Sequence, residues 1–335
     1  MQPLEKEYTI VRDLPVGMAY DGTQPFAVWQ TSARKKLAEL LGMAHFTPCE
    51  PLTQIEWERA SDAFHEIRFT FQSEPDYRVP CHLLIPHRIR LAGVMVCLQG
   101  HSTGMHISLG RAKYESDENT VAGGDRDFAL QCVRHGMCCV TIEQRGFGEK
   151  GGNPNPDCYV PAMTALLSGR TLLGARVWDI MRLIDLLKAE FSDRCDTNRI
   201  YAMGNSGGGT ATFYAAALDT RIAAAMPSCA FCTYADSIGS MFHCACNFVP
   251  NIRNYFDMAE LAALTAPRPI VIVSGEKDDI FPIVPAKSQF ARLQQYYAAA
   301  DAADKCVHVV GPEGHRFYAD LAWPIFEKLI QGEFV

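Results

Sequence analysis

Residues 199–218 read RIYAMGNSGGGTATFYAAAL, and the reading of this stretch decides the fold. Arg199 to Met203 is an apolar run of strand length, and Gly209 to Leu218 is a small-residue segment of helical length. Between them Gly204-Asn205-Ser206-Gly207-Gly208 places a G-x-S-x-G at a strand-to-helix turn, the pattern of a nucleophile elbow. The turn has to be tight enough to push the Ser206 hydroxyl into the open. Gly204 and Gly208 flank it because a Cβ at either place would meet the neighbouring strand or helix. The backbone N–H of Gly207 falls at a helix N-terminus, where negative charge is favoured, and offers half of an oxyanion hole. Glycine-rich turns are common, so the partners downstream carry the decision.

An elbow serine calls for an acid and then a histidine later in the chain. Residues 269–274 (PIVIVS) form the next clear buried strand after residues 222–227, and they run into Gly275-Glu276-Lys277-Asp278-Asp279-Ile280-Phe281-Pro282. Asp278 is the preferred acid because it lies three residues past the strand-ending Gly275, as in many hydrolases. Asp279 is the alternative, and an ordinary loop aspartate is the blander reading of either. Residues 306–310 (CVHVV) read as the last strand, followed by Gly311-Pro312-Glu313-Gly314-His315-Arg316-Phe317. That puts His315 in the loop where the base belongs. His308 is a rival, but alternation inside CVHVV makes it a strand residue. In this arrangement Ser206 attacks an acyl carbon, His315 takes and returns the proton, and Asp278 orients His315 and stabilises its charged form. The second oxyanion donor should follow an early strand. Residues 92–98 (AGVMVCL) are that strand, and the backbone N–H of His101, in the loop Gln99 to Gly104, is the candidate.

The bulk properties narrow the class. A chain of 335 residues allows two domains but is also an ordinary size for one α/β unit. A hydrophobic fraction of 48% and a charged fraction of 21% suit a globular enzyme. The net charge of −7 argues against a nucleic acid or an anionic membrane as partner. The opening MQPLEKEYTIVRD has no charged region followed by an apolar one, so no signal peptide is expected. No apolar window is long enough to predict a membrane span. There are thirteen cysteines, several in expected core strands (Cys97, Cys138, Cys139, Cys306). Reduced, buried thiols are expected, and with them a cytoplasmic location.

Residues 1–60 read as an N-terminal helical extension, with a helix over 32–43, and residues 61–335 as one catalytic unit. Three strand-like segments over 64–98 (FHEIRFTFQ, VPCHLLIP, AGVMVCL) look like antiparallel opening strands. Beyond them a helix at 125–135, a strand at 137–143 and a helix at 174–190 lead to the elbow, an alternation that predicts a parallel sheet. A last helix over 321–330 would hold Pro324 in its first turn, where proline is tolerated. Residues 229–260 interrupt the alternation. An insertion at the C-terminal end of a strand forms a cap or pocket wall, and this one is expected to set specificity. It carries Cys229-x2-Cys232 and, ten residues on, His243-Cys244-x-Cys246. Thiolates and imidazole suit zinc, but the spacing fits no standard zinc module. Pocket lining or packing is the preferred reading, and neither a metal nor a cofactor is expected.

With these placements made, residues 60–335 resemble the α/β-hydrolase superfamily, and within it the acetyl xylan esterase-like and dienelactone hydrolase-like branch. The resemblance is carried by Glu143-Gln144-Arg145-Gly146-Phe147-Gly148, similar to that branch's D-x-R-G-x-G, and by Ala266-Pro267-Arg268-Pro269 before the acid strand. The acid loop GEKDDIFP, the histidine loop GHRF and the helical extension add to it. It implies a mostly parallel sheet of about eight strands flanked by helices, Ser206, Asp278 and His315 as a triad, and Gly207 and His101 as oxyanion donors. Two residues depart from the pattern: Gln99 stands where many relatives have His before Gly100, and Glu143 replaces the usual Asp. The implied function is a serine esterase cleaving small acyl esters, acetyl above all, of carbohydrate or similar small molecules. The expected partner is that ester, and a homo-oligomer is compatible with the sequence. The alternatives are a peptidase or amidase, which usually brings a propeller that this chain lacks; an acyltransferase; a metal-dependent hydrolase; and a non-catalytic binding protein, against which the complete triad speaks.

Overall fold

The structure, a computed structural model, describes residues 2–333 except Leu91 and Asn153. Its helices are α1 (Pro3–Asp13), α2 (Phe26–Leu40), α3 (Glu115–Glu118), α4 (Phe128–Arg134), α5 (Tyr159–Leu167), α6 (Leu172–Glu190), α7 (Gly207–Leu218), α8 (Ile252–Tyr255), α9 (Met258–Ala263), α10 (Ile283–Ala299) and α11 (Ala319–Gln331). Its strands are β1 (Gln54–Ala60), β2 (Phe64–Glu74), β3 (Tyr77–Pro86), β4 (Val94–Leu98), β5 (Cys138–Ile142), β6 (Ile200–Asn205), β7 (Ile222–Ser228), β8 (Ile270–Gly275) and β9 (Cys306–Gly311). They form one sheet in the order β1-β2-β3-β5-β4-β6-β7-β8-β9. β1, β2, β3 and β5 pair antiparallel in succession, and every pair from β5 through β4 to β9 is parallel.

The parallel strands are mostly apolar on both sides because helices cover both faces of the sheet. Along β4, Val94, Val96 and Leu98 point into one core while Met95 and Cys97 point into the other. β6 and β8 alternate in the same way, with Ile200, Ala202, Ile270 and Ile272 on the first side and Tyr201, Met203, Val271 and Val273 on the second. The first face is covered by α2, α6, α7, α9 and α10, and the second by α4 and α11 through Phe128, Cys132, Trp323 and Phe326. None of the described helices is long and apolar enough to cross a membrane.

Three expectations are corrected. The sheet has nine strands rather than about eight. β1 is the strand left out; it lies within the residues read as a helical extension and is exposed at six of its seven positions. The segment over 92–98 is not an antiparallel opening strand, since β4 runs parallel to both its neighbours. Pro324 sits inside α11, which starts at Ala319, so it falls beyond the first turn. There its missing N–H leaves the carbonyl four residues back without a helical partner.

The extension is tied to the sheet through Trp29 of α2. Trp29 is 2% exposed, stacks on Tyr296 of α10 with ring centroids 5.5 Å apart, and donates its indole N–H to the Met18 carbonyl at 2.8 Å. Trp29→Ala should therefore lower the stability of the whole chain by about 3–5 kcal/mol, the usual cost of emptying a buried tryptophan site. Denaturant unfolding checks this. An unchanged midpoint would mean that the extension is an appendage rather than part of the main core.

Candidate active site

The elbow is set by backbone contact between α7 and the end of β4. A Cβ on Gly208 would lie 2.1 Å from the Leu98 carbonyl oxygen and 2.6 Å from that of Gln99. A Cβ on Gly204 would lie 2.6 Å from both Leu98 O and the Gly208 backbone. Ser206 is held at φ 56°, ψ −125°, with its N–H donating to the Ser228 carbonyl at 2.8 Å. A serine at positive φ costs on the order of 1–3 kcal/mol and persists only where its surroundings enforce it. The loop after β4 folds back over this turn. The His101 ring lies against Gly207, whose Cβ would be 2.9 Å from Nδ1. Among the described residues, neither the Gly207 nor the His101 backbone N–H has a protein acceptor. Both are free to meet an oxyanion.

Asp278 and His315 are brought together from the loops after β8 and β9. His315 Nδ1 lies 2.9 Å from Asp278 Oδ2. The other oxygen, Oδ1, accepts the backbone N–H groups of Ile280 and Phe281 at 2.9 and 3.0 Å. The Asp278 side chain is fully buried, and that of His315 is 16% exposed. Burial by itself pushes the Asp278 carboxyl up, but the His315 hydrogen bond and charge and the two backbone donors outweigh it and hold it below its ordinary value. Asp279 is exposed, and of the two it is Asp278 that meets His315. His308 is a strand residue, 2.9 Å from Ser274 Oγ and packed on Phe290; burial lowers its pKa to about 4. Among the described residues no hydrogen bond joins Ser206 to His315; such contacts commonly tighten only when substrate is bound.

The two departures from the family pattern have structural partners. Gln99 Nε2 donates to Ser108 Oγ and, at 2.9 Å, to the Arg126 carbonyl. Arg126 Nη2 in turn donates to the His315 carbonyl at 3.3 Å. Gln99 thus reaches the histidine loop through Arg126, a residue that sequence reasoning missed. Glu143 is 2% exposed and accepts the backbone N–H groups of Met105 and Glu149 at 3.1 and 3.2 Å. Its longer side chain fills the space over Gly104 and Gly148, where a Cβ would lie 2.9 and 2.3 Å from Oε2. Burial raises its pKa to about 8 against these backbone donors.

Ser206 and Gly207 open into a cavity of about 710 Å³. Its walls come from α5 with the residues before it and from the insertion, the segment expected to form the pocket. Tyr159, Met163, Leu166, Phe242, Phe248 and Phe281 give it an apolar lining. The insertion's cysteines do not form one group. Cys232 Sγ donates to the Pro282 carbonyl, and His243 meets Ser237 and packs on Phe281. Cys229 lies beside Asp278 and His315, where burial pushes its thiol up to about 12. Cys244 and Cys246 instead meet His101 and Cys158, with all four donor atoms within 4.8 Å of one another. Sequence reasoning separated His101 and Cys158 from this group because no local spacing links them.

Residues 18–299 match a family described as the Abhydrolase family. The span holds Ser206 and Asp278 and ends before His315. A curated protein of Bacillus subtilis (strain 168), "Putative hydrolase YtaP", is 28% identical over 192 residues, 56% of this chain and 62% of that one. The match thus spans less than two thirds of that relative's length. Among solved structures, one described as a "putative acetyl xylan esterase" from Bacteroides fragilis NCTC 9343 superposes with a TM-score of 0.74 at 18% identity, covering 92% of this chain and 82% of that one. A glucuronoyl esterase from Solibacter usitatus gives 0.69 at 15% identity, covering 96% and 97%. At these identities the likeness is one of fold.

Glu143 supplies a pH test. Its folded pKa of about 8 stands above the ordinary 4.5, so the folded chain keeps a proton that the unfolded chain has released. The stability this provides is fully present below the unfolded value and is lost as pH rises toward the folded one. Wild type should therefore lose more stability than Glu143→Gln between about pH 5 and pH 8, as measured by urea unfolding. Parallel curves would show Glu143 ionised throughout.

Proposed function

The chain belongs to the Abhydrolase family, and on that premise we propose that it hydrolyses carboxylic esters with Ser206 as nucleophile, His315 as proton shuttle and Asp278 as the group that orients His315. The observation that carries this reading is Ser206 itself, held at φ 56° on the rim of a cavity that His101 and Gly207 also line, with no acceptor for the backbone N–H of either among the described residues. Ser206 Oγ attacks the ester carbonyl while His315 Nε2 takes its proton. The Asp278 bond at Nδ1 fixes the tautomer that leaves Nε2 free to do so. The developing oxyanion is met by the N–H groups of Gly207 and His101. His315 returns the proton to the leaving alcohol, and water repeats the sequence on the acyl-enzyme.

Two substrate classes compete. The solved proteins of like fold include an acetyl xylan esterase and glucuronoyl esterases, which keeps acetylated carbohydrate in view. The lining favours a second reading. An acetyl group leaves most of a 710 Å³ cavity unfilled, and its walls are aromatic and aliphatic. An ester with a sizeable apolar portion fits them better.

Hydrolysis of p-nitrophenyl esters of increasing acyl length tests both statements. Ser206→Ala should abolish turnover on every ester, and Asp278→Asn should lower kcat by roughly 10⁴-fold, the cost found when a triad histidine loses its orienting carboxylate. A rate maximum beyond acetyl supports the apolar reading, and a maximum at acetyl supports the carbohydrate one. Undiminished turnover by Ser206→Ala would overturn the mechanism.

A further inference from the structure

Three segments far apart in the chain deliver four metal-ligating side chains to one point. His101 comes from the loop after β4, Cys158 from the residue before α5, and Cys244 and Cys246 from the insertion. The four donor atoms lie within 4.8 Å of one another, with His101 Nε2 and Cys246 Sγ at 3.2 Å. A zinc ion bound by thiolates at about 2.3 Å and by imidazole at about 2.0 Å holds its donors roughly 3.5–3.8 Å apart. Small side-chain movements would turn the observed cluster into that tetrahedron. We propose that His101, Cys158, Cys244 and Cys246 bind one zinc ion in a closed site of three thiolates and one imidazole.

Arg176 distinguishes this cluster from thiols that merely pack together. It is 1% exposed, and its guanidinium lies 4.2 Å from the Phe147 ring centroid. Nη1 donates to Cys246 Sγ at 3.2 Å and Nη2 to Cys158 Sγ at 3.3 Å. Its remaining bonds, from Nε and Nη2, go to the neutral Arg145 carbonyl. Among the described residues its hydrogen bonds go to these sulfurs and that carbonyl, and none to a carboxylate. A buried guanidinium needs negative charge nearby, and here sulfur is the source within reach. Three thiolates, a neutral imidazole and Zn²⁺ sum to one negative charge, which Arg176 cancels. N–H···S bonds of this kind hold thiolate ligands in place and tune their affinity.

With four protein ligands the ion has no open position, so its role is structural rather than catalytic. It would join α5 and the insertion, the two walls of the cavity, to the loop that carries the His101 backbone N–H. The imidazole binds metal while the backbone amide stays available. The inference does not depend on the ester reading.

Metal analysis of the whole chain, purified reduced and without chelator, decides the matter. About one zinc per chain is expected, and replacement by cobalt should give the visible absorption of a tetrahedral thiolate centre. The Cys158→Ser and Cys246→Ser variants should lose the metal, and Cys232→Ser should keep it. Arg176→Gln should weaken zinc binding roughly 10–100-fold. If the cysteine variants fail to fold, the wild-type zinc count and cobalt spectrum still decide. A wild-type chain that takes up no zinc when supplied with it, a disulfide found by thiol titration and intact mass, or full zinc retention by the Cys158→Ser/Cys246→Ser double variant would each overturn the proposal.

Discussion

The site depends on how closely the start of α7 can approach the end of β4. Where a Gly208 side chain would begin, the Leu98 carbonyl oxygen is 2.1 Å away, so helix and strand meet backbone to backbone. That contact forces the sharp turn at Ser206 and points its side chain away from the sheet. The loop after β4 then closes from above, with Gly100 so near that a Cβ on it would lie 2.9 Å from Ser206 Cβ. The strain at Ser206 is small beside the packing of β4, β6 and α7, whose residues in both cores are almost without exposure. A locally unfavourable backbone therefore persists.

The other groups arrive by the same geometric rule. The C-terminal ends of the parallel strands lie along one edge of the sheet, and each contributes one loop to the site. β4 supplies His101, β5 supplies Glu143, β7 supplies the insertion with Cys229, β8 supplies Asp278 and β9 supplies His315. These loops are cross-linked below the cavity. Gln99 reaches the histidine loop through Arg126, and Glu143 accepts backbone donors from two separate turns. Arg176 ties the thiol cluster to the carbonyl of Arg145, whose own side chain pairs with Asp179 of α6 at 2.7 Å. The groups around the elbow are thus held from behind as well as by the sheet.

The strands and groups that carry this arrangement were legible where local sequence reports local physics. The elbow, the strands ahead of it and beyond it, and the acid and histidine loops each announce themselves in a few consecutive residues. β1 did not, because an exposed edge strand paired on one side has no buried face to write a period of two into QIEWERA. Position in the chain beside β2 and β3 groups β4 with the antiparallel strands, whereas it pairs parallel on both sides. Its unbroken apolar run, buried at every residue, is the mark of a parallel strand covered on both faces. The thiol cluster is hidden in the sequence for a related reason. Spacing joined Cys229, Cys232 and His243 to Cys244 and Cys246, but the chain turns Cys229 toward Asp278 and brings His101 and Cys158 in from other loops. Arg126 is equally invisible beforehand, since its partners are a glutamine and a histidine loop from distant strands.

The central claim is that Ser206 is an activated nucleophile served by His315. Covalent trapping tests it most directly: reaction of the folded chain with a fluorophosphonate, followed by intact-mass and peptide mapping. The account predicts a single adduct on Ser206 that forms far more slowly in His315→Ala. A folded chain that gains no adduct, or gains one elsewhere with Ser206 unmodified, would contradict it.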